Sequence, residues 1–458
     1  MKRIQWVAVL IISCLYLISN AQADHHGDYV IHDFKKYQLT PVYWSEGGSM
    51  GDFNNDGHMD VVVGPDLYLG PNFDRRTGFR HEYYPAVAPT RRSHRDFSYY
   101  SNDNFYSWPY DFDGDGWLDI MVAGLPNTPA YWYENPGKPF GGRSPDVPVH
   151  WKKHFVHSNV KNEAPNVIDI DGDGFPELLT AYDEHYGYAK ANPVSPRLPW
   201  TFYPISTDDE IIHHYTHGMG LGDIDGDGRV DYLTGEGWYR QPVSLQPATD
   251  WEFHPYEFLD RNINTVFCCL TGGGTMWAYD VNGDGLNDVI TSIDAHGWGL
   301  SWYEQIRQYG DSGEMITFKE HRILSREEEN TDNPYGVQFS QLHDIDLVDI
   351  DGDGLLDILT GKTWRAHDFG DPGSRQDPVI YWFKLTRQKN GEVEYIPYKI
   401  DDTAGIGRQL RSGDLNADGH PDFVVGNKLG AFVFIQEPRK VSRKEWKKAQ
   451  PVRLKNFK

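Results

Sequence analysis

The sequence predicts an all-β chain, a seven-bladed β-propeller whose ring an N-terminal strand closes, and three observations carry that expectation. A nine-residue pattern, DxDxDGxxD, occurs seven times, opening at Asp52, Asp111, Asp169, Asp223, Asp280, Asp349 and Asp414. The intervals are 59, 58, 54, 57, 69 and 65 residues, each about one blade long. Every copy is followed by a short β-branched or aliphatic run, and several then by an aromatic run, which is the composition of successive strands.

The loop spacing has a chemical reason. Side-chain oxygens at positions 1, 3 and 5, a backbone carbonyl at 7 and a carboxylate at 9 can wrap one hard cation, while glycine at 6 permits the sharp turn. The expected calcium ligands are Asp52, Asn54, Asp56 and Asp60; Asp111, Asp113, Asp115 and Asp119; Asp169, Asp171, Asp173 and Glu177; Asp223, Asp225, Asp227 and Asp231; Asp280, Asn282, Asp284 and Asp288; Asp349, Asp351, Asp353 and Asp357; and Asp414, Asn416, Asp418 and Asp422. One acidic turn is ordinarily a solvated loop. Seven in register reverse that expectation.

From the N-terminus, Lys2 and Arg3 precede an apolar run from Trp6 to Ile18 and then Ala21-Gln22-Ala23, the layout of a cleaved secretory signal over residues 1–23. A secreted or periplasmic protein is expected, its mature chain starting near Asp24. Ser13-Cys14 loosely imitates a lipoprotein site, but the apolar run continues past it, which disfavours a lipid anchor. No other stretch approaches membrane-spanning length. Cys268 and Cys269 are adjacent and build no disulfide framework; they are two free thiols or a strained vicinal bridge.

The propeller is expected over residues 24–436. Tyr29 to Tyr37 reads as a fourth strand lying ahead of the first loop, and the last repeat lacks a fourth strand after Phe434. The ends should therefore interlock and remove an open sheet edge. Second strands are Val61 to Val63, Ile120 to Val122, Leu178 to Thr180, Tyr232 to Thr234, Val289 to Thr291, Ile358 to Thr360 and Phe423 to Val425. Third strands show at Tyr131 to Tyr133, Ser301 to Tyr303 and Tyr381 to Phe383; fourth strands at Trp151 to Val156, Trp251 to Tyr256 and Phe318 to Ile323. Residues 437–458 read as a basic, solvated tail.

The net charge of -24 is set by the loops, whose ligand positions hold 25 carboxylates. It therefore argues neither for nor against an anionic substrate. No Gly-rich phosphate loop, nucleophile elbow or nucleic-acid module is present, which disfavours nucleotide, serine-hydrolase and nucleic-acid functions.

The DxDxDGxxD loops with their following aliphatic strands resemble FG-GAP/VCBS repeats, as in integrin α-subunit heads and many secreted bacterial proteins, over roughly residues 29 to 435. The resemblance implies a seven-bladed propeller with calcium in the hairpins between first and second strands. The fold also resembles that of seven-bladed propeller polysaccharide lyases, without their diagnostic catalytic motifs.

If the loops mark one face, the strands leading into them begin at the other, beside the central channel. Six positions before each loop stand Glu46, Phe105, Glu163, His217, Gly274, His343 and Arg408, five of them ionisable; two further back lie Lys161 and Tyr215. Hairpins from the second strands add His185, His296 and Arg365, with Trp298, His367 and Lys428 nearby. The stretch Arg91-Arg92-Ser93-His94-Arg95, with Phe97, Tyr99 and Tyr100, is basic and aromatic. A mouth of this composition suits an acidic polysaccharide.

Two functions of different class are expected. In a polysaccharide lyase, Arg408 and Arg365 clamp a uronate carboxylate, His217 and His343 serve as base and acid, and Tyr215 is an alternative proton donor. A variant places an additional metal ion on the channel axis, held by some of Glu46, Glu163, His217 and His343. In a noncatalytic module, the same mouth, or the loop at Arg91 and Arg92, holds a glycan or a protein partner.

Overall fold

The computed structural model describes residues 29–73, 81–85, 103–137, 149–207, 212, 215–245, 251–259, 272–310, 313–326, 333–389 and 391–455. The stretch expected to be a secretory signal, the basic loop with Arg91 and Arg92, and Cys268 and Cys269 lie outside them.

After β1 (Tyr29–Thr40) the chain runs in four-strand meanders. These are β2 (Ser49–Gly51), β3 (Asp60–Val63), β4 (Asp66–Tyr68) and β5 (His81–Glu82); β6 (Tyr106–Tyr110), β7 (Asp119–Ala123), β8 (Thr128–Glu134) and β9 (Lys152–Val160); and β10 (Asn166–Ile168), β11 (Glu177–Tyr182), β12 (His185–Lys190) and β13 (Thr201–Pro204). Next come β14 (Met219–Gly222), β15 (Asp231–Thr234), β16 (Gly237–Arg240) and β17 (Glu252–Pro255), then β18 (Thr275–Tyr279), β19 (Asp288–Ser292), β20 (Leu300–Gly310) and β21 (Gly313–Leu324). The last strands are β22 (Ile345–Val348), β23 (Asp357–Gly361), β24 (Ile380–Arg387) and β25 (Val393–Asp401), followed by β26 (Leu410–Gly413), β27 (Asp422–Asn427) and β28 (Gly430–Val441).

They form five four-stranded sheets and one of eight strands, in which β14 and β18 pair in parallel and join two antiparallel meanders. First strands also touch between sheets, β2 meeting both β6 and β26, and β22 meeting both β18 and β26. Second strands such as β3, β7, β19 and β23 are buried along their whole length, as continuous apolar runs require. Successive meanders pack face to face. Ile290, Trp302 and Ile323 of one meet Ile345, Ile358 and Phe383 of the next, each large side chain contributing about 1.5–3 kcal/mol of burial.

β1 lies antiparallel to β28, from Tyr29 opposite Val441 to Thr40 opposite Ala431, and is the outer strand of the sheet β1-β28-β27-β26. Beyond residue 436, where a solvated tail is expected, no described residue is buried, but the chain has regular structure. β28 continues to Val441, Ser442 caps α1 (Arg443–Ala449) by accepting the amide of Glu445, and the Leu454 amide bonds the Pro334 carbonyl. The strand extends because β1 offers it a partner. Tyr29 and Trp446 pack with ring centroids 5.4 Å apart, and Arg453 pairs with Glu394 at 2.9 Å.

Each acidic loop joins the first and second strands of its meander and follows one plan. The position-9 carboxylates Asp60, Asp119, Glu177, Asp231, Asp288, Asp357 and Asp422 are fully buried and accept the amide two residues after the first strand, as Asp119 does from Phe112 at 2.9 Å. The glycine at position 6 has φ between 84° and 90° in every copy, the left-handed region that a Cβ disfavours. Position 3 sorts the loops. Where it is aspartate, a basic side chain meets it: Arg197 on Asp113 at 2.5 Å, Arg240 on Asp225 at 2.5 Å, Lys190 on Asp171 and Lys384 on Asp351. Where it is Asn54, Asn282 or Asn416, its amide donates to Asp56, Asp284 or Asp418 at 3.0, 3.0 and 2.9 Å.

Candidate functional site

The residues just before the first strands meet in the interior. Glu46 precedes β2, Glu163 precedes β10, His217 precedes β14, His343 precedes β22 and Arg408 precedes β26. Arg408 bonds Glu163 through Nε and lies 3.4 Å from Glu46 through Nη1, so the last meander reaches both the first and the third. His217 Nε2 lies 3.1 Å from the same Glu163 Oε2. Glu46 also receives Lys428 and the Tyr43 hydroxyl, each at 2.5 Å.

This geometry corrects the expectation of an open clamp. Arg408 is 9% exposed, Glu46 0%, Glu163 6%, and His217 and His343 each 2%. Two carboxylates already hold the Arg408 guanidinium, so it is not free to receive a substrate carboxylate. Burial would raise Glu163, but Arg408 and then His217 outweigh it and hold it well below the usual carboxylate range. Glu46 is lowered in the same way, Lys428 and Arg408 overcoming its burial.

A second group joins from the β19–β20 and β23–β24 connections. His296 Nδ1 lies 3.0 Å from Asp371 Oδ2, and His367 Nδ1 lies 2.9 Å from Asp371 Oδ1. The His296 and His367 rings stack at 4.4 Å and 19°. The other contacts of His296 are edge-on, 4.9 Å to His217 and 4.7 Å to His343. Burial pushes His296 down to about 4 and, with Arg408, His343 well below its ordinary value, so both rings are neutral near pH 7. Burial opposes ionisation of Asp371, yet the two imidazoles hold it far down as a carboxylate.

The outer edge of this cluster is exposed. His367 faces solvent, the Arg365 guanidinium lies 5.6 Å from the Trp364 ring and 4.6 Å from the Phe369 ring, and Arg375 covers Phe369 at 4.9 Å. Arg365, His367 and Phe369 all have positive φ, at 60°, 44° and 66°, and Gln341 beside His343 has 64°. Four non-glycine residues near the cluster thus lie in a sparsely allowed backbone region, at a cost on the order of 1–3 kcal/mol each.

The remaining expected residues are more dispersed in role. Trp298 is buried and its backbone bridges Ser340. His185 Nδ1 meets the Ser206 carbonyl at 2.6 Å, Lys161 pairs with Glu184, and Tyr215 is half-buried. Sequence reasoning missed Asp371, Asp294 and Lys362. Asp371 stands four residues after His367, a spacing that could have signalled a pair on one turn. Burial raises Asp294 to about 6, and its Oδ1 accepts the His296 amide at 2.8 Å. Lys362 is fully buried and desolvated down to about 7, its Nζ 3.1 Å from Ser340 Oγ and 2.5 Å from Gln341 Oε1. A separate cleft of about 570 Å³, lined by Trp302, Glu304, His321, Gln388, Tyr395 and Arg453, contains none of these groups.

Among the described residues no helix is long and apolar enough to cross a membrane. A sequence model of the FG-GAP-like repeat matches residues 111–180, from the second loop through the strand after the third. Among solved structures the chain is similar to a lectin from Agrocybe aegerita that recognises non-reducing terminal N-acetylglucosamine, at 14% identity over 86% of each chain and a TM-score of 0.43. A rhamnogalacturonan lyase matches at 13% identity, over 88% of this chain and 75% of that one, with a TM-score of 0.35. A streptogramin B lyase matches at 10% identity, over 88% of this chain and 98% of that one, with a TM-score of 0.43.

Proposed function

We propose that this chain is a secreted, calcium-stabilised, seven-bladed propeller that holds a uronic-acid-containing polysaccharide at its channel mouth and cleaves it by β-elimination. The observation that carries the reading is the stack of half-buried Trp364, Arg365 and Phe369 with exposed Arg375, beside exposed His367. Aromatic faces accept the apolar side of a sugar ring, and guanidinium groups accept its carboxylate. Calcium is supported by the loop chemistry. Burial pushes Asp119 and Asp357 up to about 8 and Asp60, Asp231 and Asp288 up to about 7, a cost that a bound cation would relieve. The pairing of β1 with β28 supports closure of the ring, and the charged, apolar and small-residue order of residues 1–23 supports secretion.

The base in this reading is His367, which replaces the buried His217 and His343. Asp371 holds its Nδ1 proton and leaves Nε2 as the lone pair. His367 takes the proton α to the uronate carboxyl, and Arg365 offsets the charge that develops there. The electron pair becomes a carbon–carbon double bond, the glycosidic carbon–oxygen bond at the β carbon breaks, and the leaving oxygen takes a proton from Tyr215 or water. No co-reactant is consumed.

The test is incubation of the calcium-loaded protein with a panel of uronate polysaccharides, read by ultraviolet absorbance and product mass. Unsaturated oligosaccharides are expected, with His367→Ala slowing their release by about 10²- to 10⁴-fold while binding persists. Intact glycans retained by the protein, with retention lost in Arg365→Ala, would favour a noncatalytic binding module, a reading the burial of Arg408 also favours. Neither product nor retention on any acidic glycan would overturn both.

A further inference from the structure

The proposed glycan chemistry leaves the innermost imidazoles unused. His217, His296 and His343 come from three successive meanders, and their ring centroids are 4.9, 5.7 and 4.7 Å apart. One nitrogen from each, with one Glu163 carboxylate oxygen, lies within 4.8 Å of the others.

Hydrogen bonds fix where the protons sit. His217 Nε2 is held by Glu163 Oε2 at 3.1 Å, His296 Nδ1 by Asp371 at 3.0 Å, and His343 Nδ1 faces the Gln341 carbonyl at 3.4 Å. Each acceptor draws a proton to the nitrogen it meets, leaving the other as a lone pair. Those other atoms, His217 Nδ1, His296 Nε2 and His343 Nε2, are buried and have no hydrogen-bond partner. Three unpartnered ring nitrogens sealed from water, on imidazoles this close together, are unfavourable unless something electrophilic meets them. The acceptors behind the rings, two carboxylates and a carbonyl, are what orients and strengthens metal-ligating histidines.

The backbone is built to allow this convergence. A Cβ at Gly272 would stand 2.6 Å from the His217 carbonyl oxygen, and one at Gly274 would stand 2.3 Å from that of His343. The glycines let the chain between them pass close against the backbone of both histidines.

We propose that His217 Nδ1, His296 Nε2 and His343 Nε2 bind one first-row transition-metal ion, zinc or a chemical equivalent, at the centre of the molecule, with Glu163 and Asp371 as positioning residues. Imidazole donors select such an ion over calcium, whose ligands are oxygens. The site shares Asp371 with the proposed glycan reading, which holds His367 through its other oxygen, but its three histidines take no part in that reading or in the acidic loops.

The test uses the full secreted chain, kept in calcium and equilibrated with Co²⁺, with free metal then removed. Retention of about one cobalt per chain with visible ligand-field absorption, displaced by Zn²⁺, is expected. His296→Ala and His343→Gln should abolish the absorption while melting cooperatively in calcium, and Asp371→Asn should weaken retention by about 10- to 100-fold. Should a variant fail to fold, the wild-type titration decides alone. Cobalt and zinc that wash off the wild-type protein, or absorption unchanged in folded histidine variants, would overturn the proposal.

Discussion

Ala417 occupies loop position 4 with φ 60°, where five of the other copies carry glycine and the first carries Asn55 at φ 53°. A Cβ in the left-handed region costs about 1–2 kcal/mol, partly offset by the chain entropy that glycine would add. Ala417→Gly is therefore expected to be neutral or to stabilise by up to about 1 kcal/mol, read as a rise in Tm; a clear fall would show that the loop does not hold this conformation. His157 carries a different prediction. Its ring packs against Tyr182 and Phe202, and burial lowers it below the ordinary 6.5, the Asn159 backbone contact opposing only in part. The unfolded chain then binds the proton more readily, so this contribution to stability is present above pH 6.5 and is lost as pH falls toward the folded value. His157→Phe should flatten the acid limb of a stability–pH curve, and an unchanged limb would remove His157 as its source.

At the scale of the element, the acidic loops equalise their charge. Lys190 reaches Asp171 and, at 2.6 and 3.1 Å, Asp173 and Glu177; Lys384 reaches Asp351 and, at 2.8 Å, Asp353. The extra carboxylate at position 3 is thus met by an internal cation, and the asparagine loops need none. If calcium binds these hairpins, Lys190→Met and Lys384→Met should each lower the calcium concentration needed for thermal stabilisation, because the ion no longer competes with an ammonium group. An unchanged midpoint in both variants would count against occupancy of those two loops. The β23–β24 connection is the other element with a distinct character, combining positive-φ residues with the exposed end of the histidine cluster. Rigid strands at both ends hold it there.

At the scale of the molecule, the sheets are held by packing between neighbours and by groups that cross the interior. Gln409 is one such link, accepting the Ser107 amide at 3.0 Å and donating to the Ser107 carbonyl at 2.9 Å. The first and last strands are joined, β1 lying along β28, and Lys36 of β1 reaches Asp401 at the end of β25 at 2.6 Å. Deleting residues 29–40 should expose the whole edge of β28 and produce oligomers or aggregates in size-exclusion chromatography, with loss of cooperative melting. A monomer of wild-type Tm would show that β1 contributes nothing to the stability of its sheet. If calcium occupies the acidic loops, excess chelator should lower the Tm of the intact chain, since an ion bound only by the folded state stabilises it, and an unchanged Tm would count against that occupancy.

The sequence by itself determined the strand order, the position of every acidic loop and which residue stands six places before each, because a loop and its flanking strands are contiguous and repeat. It therefore placed Glu46, Glu163, His217, His343 and Arg408 at the inner ends of the first strands. It did not determine whom they touch. The Arg408–Glu163 pair spans 245 residues, and Arg197 reaches Asp113 across 84, so only the closing of sheet upon sheet decides these partners. Likewise Asp371 and Lys362 lie in a connection with no repeating register, and burial alone lowers Lys362. Local spacing encodes a repeat; charge pairing, desolvation and the meeting of three imidazoles are non-local, and tertiary structure decided them.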